Sequence, residues 1–88
     1  MFIGVLQVSF DIPDSFSIKD KRSALSSLKK RLQSTFNVSV AETEQMDSMT
    51  VGFLAVAFVA SDKKYAYRTM SKILAFLERE KRIVVRDV

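Results

Sequence analysis

Residues 49–60 constrain this chain more than any other stretch, because the run is apolar at both parities. As a strand it would turn Val51, Phe53, Ala55, Ala57 and Val59 to one face and Gly52, Leu54, Val56, Phe58 and Ala60 to the other. Such a strand is covered on both sides or sits centrally in its sheet. The rest of the chain must therefore supply flanking strands and at least one covering layer.

Residues 2–12 supply a strand with one buried face. The even positions are Phe2, Gly4, Leu6, Val8, Phe10 and Ile12, and the odd ones Ile3, Val5, Gln7, Ser9 and Asp11, a period of two that sends the even set to the core. Pro13 ends this strand, and residues 14–16 form a short connection to Ser17. The Ser17 hydroxyl is placed to cap a helix, with Asp20 three residues later in the first turn.

Residues 17–36 read as one amphipathic helix. At 100° per residue Ile18, Leu25, Leu28, Leu32 and Phe36 share a stripe, with Lys19, Ser23, Ser26 and Lys30 on the far side and Arg22 and Lys29 at one edge. Lys21 projects between Leu28 and Leu32. Its stem is expected along the apolar edge and its ammonium past the helix N-terminus, either snorkelling into water or reaching a partner.

Residues 37–43 alternate again, with Val38 and Val40 inward, and 44–48 make a turn into the apolar run. Ser61 or Asp62 then caps a second helix whose Ala66, Met70, Ile73, Leu74 and Leu77 share a face. Tyr65 and Phe76 fall off that stripe, bordering the core or forming a small contact surface beside Thr69 and Lys72. Residues 83–88 close the chain as a last strand. The order β, α, β, β, α, β predicts an α+β fold of ferredoxin-like type, with two helices on one face of a four-stranded antiparallel sheet. Both crossovers should be right-handed, and the first and third strands central. Leu6, Val8 and Phe10 should pack beneath Leu25, Leu28, Leu32, Met70, Ile73 and Leu77.

With 88 residues there is enough chain for a single core, burying about 60 to 65% of the unfolded surface. No composition shift or repeat marks a linker, so residues 1–88 read as one domain. Without Cys or His there is no thiol nucleophile, no triad and no zinc set, and no Gly-rich loop is present to cradle phosphate. No enzyme activity and no cofactor are expected. Glu42, Glu44 and Asp47 could hold a hard cation weakly, but acids on a solvated turn are more often a source of solubility. The N-terminal MFIGVLQVSFD has no basic lead-in and alternates beyond Leu6, unlike a signal peptide or membrane span. A cytoplasmic protein without a membrane segment is the expectation.

The formal net charge is only +4, and its distribution is more informative than its size. Six of the fourteen Lys and Arg residues, Lys19, Lys21, Arg22, Lys29, Lys30 and Arg31, fall in the first helix against one acid, Asp20. Between Gln33 and Asp62 there is no Lys or Arg at all. The first helix is thus the candidate binding surface, and no opposing carboxylate is expected close to it.

Two comparisons with known families follow from these segments. MFIGVL at 1–6 and VGFLAVAF at 51–58 echo the two contact signatures of the RNA-recognition motif, which needs aromatics on the open sheet face and a basic residue opening the third strand. Here the basic position is Val51, the second stacking position is Ala55, and the parity sends Phe2 inward, so the chemistry does not follow. MFIGVL also resembles the M-F-x-G-x-L opening of the YlxP-like family, small bacterial proteins grouped as a domain of unknown function. SIKDKR at 17–22 is similar to its S-L-K-x-K-R, and FNVSVAE at 36–42 to its F-N-V-S-V-A-E. This resemblance spans the chain and implies a ferredoxin-like fold. It also implies a ribosomal role, since the family's genes commonly lie among those of translation and ribosome maturation. The chain departs from the family at the second hairpin, where EQMDSM replaces a longer turn with a tryptophan. For Lys19, Lys21 and Arg22 the resemblance supplies a motif and no role.

Two functions compete on this reading. One is a non-catalytic module that docks on structured RNA, ribosomal RNA or a ribosomal particle, through phosphate contacts from the first helix and its N-terminal amides. The other is a protein-interaction or homodimerisation module working through the open sheet face, with the basic helix solvated.

Overall fold

The computed structural model describes residues 1–13, 17–42, 51–80 and 83–87. Its elements are β1 (Phe2–Asp11), α1 (Ile18–Thr35), β2 (Ser39–Glu42), β3 (Val51–Ala60), α2 (Lys63–Glu78) and β4 (Val84–Asp87). The expected connection at 14–16, the hairpin turn at 44–48, the ends of three strands at 43, 49–50 and 88, and the core role of the Ile18 side chain lie outside the described residues.

The two long strands form the centre of the sheet. Its order is β2-β3-β1-β4 with every neighbouring pair antiparallel, the ferredoxin-like arrangement. β1 and β3 pair along their whole length, from Phe2 opposite Ala60 to Asp11 opposite Val51. Ten residues at ~3.3 Å each give that pair a length of about 33 Å, whereas the four-residue edge strands reach only about 13 Å. The molecule is accordingly long and narrow, 42 × 22 × 22 Å.

The period-two reading of β1 holds through the core. Leu6, Val8, Phe10 and Ile12 are buried in one cluster with Leu25, Leu28 and Leu32 of α1 and Ile73 and Leu77 of α2; Met70 is half-buried against it. Val40 comes from β2, and Leu54, Val56, Phe58 and Ala60 from β3. Phe2 departs from its parity: it stays 44% exposed at the far end of the long strand pair. Phe76, off the apolar stripe of α2, is half-buried and meets Phe36 edge to face, with centroids 5.8 Å apart and planes at 84°.

Both glycines of the chain serve this core by having no side chain. Gly4 stands opposite Phe58 and Gly52 opposite Phe10 in the β1–β3 ladder. A Cβ on Gly52 would lie 2.6 Å from Phe10 Cε2 and 3.0 Å from Leu25 Cδ2, and one on Gly4 would run into the Phe58 ring. Each phenylalanine ring thus occupies the space that a side chain on its cross-strand glycine would need, a close cross-strand fit that favours this register.

The helix starts follow their sequence signals. Ser17 Oγ accepts the Asp20 N–H at 3.1 Å, and Asp62 Oδ1 accepts the Tyr65 N–H at 2.7 Å, which makes Asp62 rather than Ser61 the second cap. Replacing Asp62 by Ala should lower stability by about 1 kcal/mol, read from the denaturation midpoint. Replacing Ser61 by Ala should leave it unchanged, and equal losses in the two variants would contradict this assignment.

Candidate nucleic-acid interface

Burial of Ala24, Leu25, Leu28 and Leu32 fixes the rotation of α1 about its own axis and so decides which cations face outward. Lys19, Arg22 and Lys30 are exposed and Lys29 is half-buried, with Ser23, Ser26 and Gln33 around them. These positions recur three or four residues apart and form one continuous polar side of the helix. Ser23, Ser26, Ser27, Lys30 and Arg31 line a shallow depression on it. Hydroxyl donors beside ammonium and guanidinium groups are the donor set that phosphate oxygens accept from.

Two of the six expected cations differ from the other four, Lys21 because it is buried and Arg31 because, although it lines the depression, it is held in an ion pair. Lys21 is only 7% exposed, so its ammonium does not reach out past the helix N-terminus as a free contact. The helical wheel already sets it between Leu28 and Leu32, which are 1% and 0% exposed, and the packing closes over it. Among the described residues no buried side-chain nitrogen or oxygen lacks a hydrogen-bond partner. Arg31 forms an ion pair through its Nη1 with Glu80 Oε2, the carboxylate just past the end of α2. The expectation that no carboxylate would stand close to α1 is therefore overturned at this position. The pair joins residues 49 apart in the chain, a relation no local pattern carries.

The N-terminus of α1 is also less open to anions than its amide count suggests. Ser17 already occupies the Asp20 N–H, and the Asp20 carboxyl stands in the first turn, where it competes for the same positive end of the helix dipole. The cationic surface is thus centred on the outer flank of α1 rather than at its tip. Of the acids expected at the hairpin, Glu42 is exposed at the end of β2, and Glu44 and Asp47 lie outside the described residues.

A second basic surface did not stand out in the apolar periodicity. Lys63, Lys64, Arg68 and Lys72 are exposed on α2, together with Tyr65 and Tyr67, and Lys63 Nζ stands 5.9 Å from the centre of the Tyr67 ring. The run KKYAYR at 63–68 is the signal that could have found it, since three cations and two tyrosines in six residues exceed what a solvated face requires. On the open sheet face the RNA-recognition reading finds no platform. The open-face members of β1 and β3 include one aromatic, Phe53, opposite Ser9.

The family described as Protein of unknown function (DUF503) matches residues 3–88 of this chain. A relative from Bacillus subtilis (strain 168), described as uncharacterized protein YlxP, is 30% identical over 76 residues, which span 86% of this chain and 83% of that protein. No helix among the described residues is long and apolar enough to cross a membrane.

Proposed function

We propose, for a chain that belongs to the DUF503 family of proteins of unknown function, a non-catalytic cytoplasmic module that docks on structured RNA, ribosomal RNA first among the candidates. The observation that carries this reading is the outer flank of α1. Lys19, Arg22, Lys29 and Lys30 stand on a helix locked to the core along its opposite side, so the cations are held in place beside a serine-lined depression. Phosphate recognition gains from such rigidity, because the protein element loses little freedom on binding. Lys21 and Arg31 would act differently, Lys21 as a buried part of the helix seat and Arg31 only after leaving Glu80.

Four phosphate contacts at about 0.7 to 0.9 each should give a slope near −3 in log K against log salt. Replacing Lys19, Arg22 and Lys29 together by Gln should flatten that slope to about −1 and release the RNA, with the fold unchanged because none of the three belongs to the apolar cluster. Capture of ribosomal particles from lysate, lost on nuclease treatment and lost in the triple variant, would complete the case. Salt-independent binding, or full binding by the triple variant, would refute it.

A second reading is favoured by a separate observation. Ile3, Val5 and Val59 are 74%, 56% and 62% exposed on the open face of the sheet, with Ile3 directly opposite Val59. Apolar side chains grouped in this way commonly mark a protein contact. Nuclease-resistant capture of a protein partner, abolished by Val59→Lys, would support that reading over RNA docking.

A further inference from the structure

The two sides of β1 are unequally used. On one side β3 pairs with all ten of its residues. On the other, the described residues of β4 pair with Ser9, Phe10 and Asp11, and the ladder shifts register between Ser9 and Phe10. No strand among the described residues lies along that side of residues 2–8. Every second residue there turns its N–H and C=O toward an edge that no other strand among the described residues covers, the template to which another strand adds.

Natural edges of this kind are blunted by charge, proline or a bulge within the strand. Residues 1–8, MFIGVLQV, contain no charged residue and no proline. The apolar exposure of the molecule also gathers here. Met1, Phe2, Ile3 and Val5 are four of the eight large hydrophobics left exposed among the described residues, and Val59 pairs with Ile3 beside them.

We infer that this edge is a pairing site for the same edge of a second copy, joining two sheets through antiparallel β1 strands into one eight-stranded sheet. The occupant must be an extended backbone, because backbone donors and acceptors are what the edge offers. A second copy fits because the segment is self-complementary about Val5. A twofold axis there sets Val5 against Val5, Gly4 against Leu6, Ile3 against Gln7 and Phe2 against Val8, with no like charges opposed. A closed twofold contact of this kind uses the β1 edge of both copies at once, so no further copy can add through it. The inference is independent of RNA docking by α1, and it uses the strand's edge, not the face of the sheet.

The test is the mass in solution at high micromolar concentration, with two substitutions on the same open face. The wild type should show twice the chain's mass. Val5→Lys should return it to a monomer, since two ammonium groups would be set directly opposite each other across the new pair. Val59→Lys, one strand further from the edge, should remain dimeric. In the wild type, alternate amides of residues 2–8 should gain exchange protection as concentration rises. This last readout needs no variant to fold. A wild-type monomer, loss of the dimer in both variants as a face-to-face contact requires, or retention in both would each overturn the proposal.

Discussion

Replacing Leu28 by Ala is expected to cost about 2 to 5 kcal/mol, read as a fall in the denaturation midpoint with an unchanged m-value. Leu28 is 1% exposed and belongs to the same buried cluster as Phe10, Val56 and Ile73, so its truncation leaves a cavity lined from both the sheet and the helix layer. A domain of this kind has about 5 to 15 kcal/mol of net stability, so one such cavity removes a large share of it. Lys30→Ala, on the exposed side of the same helix, should stay within about 0.5 kcal/mol of the parent and serves as the control for helix propensity. A loss below about 1 kcal/mol in Leu28→Ala would mean that α1 does not seat on the sheet as described.

The second large effect concerns the glycines. Gly52→Ala should cost about 1 to 3 kcal/mol, because the new methyl would press on Phe10, which is wholly buried, and on Leu25 behind it. Gly4→Ala should carry a penalty of the same kind, since its Cβ would run into the Phe58 ring, which is itself buried in the core. Phe10→Leu should recover part of the Gly52→Ala loss. Residues in direct contact couple in this way, and a double-mutant cycle reads the coupling as a departure from additivity. Additive losses in that cycle would contradict the ring-over-glycine packing.

The contrast between Lys21 and its neighbours marks where sequence reasoning about the candidate site ran out. Helical spacing placed Lys19, Arg22, Lys29 and Lys30 on the outer flank and Lys21 at the apolar seam, and the structure keeps these positions. What spacing could not supply was how tightly the sheet closes on that seam, which decides whether a long cationic stem ends in water or stays covered. Arg31 shows the same limit in another form. Its place on the wheel is a local property, but its pairing with Glu80 depends on how the end of α2 is set against α1.

By itself the sequence determined the order of the six elements, the cap at Ser17, the inward face of β1 from Leu6 to Ile12, and the central place of β1 and β3. All of these rest on periods of 2 and 3.6 residues or on hydrogen bonds between residues three apart, so the information lies within single segments. The tertiary structure alone decided that each glycine would lie under a phenylalanine of the opposite strand, that Phe36 and Phe76 would meet, and that Glu80 would tie down Arg31. It also decided that the described residues of β4 would pair with Ser9, Phe10 and Asp11 at one end of β1, not along its length. Register and strand overlap depend on how two distant segments align. One residue of slip would change every partner while leaving each segment's own pattern intact.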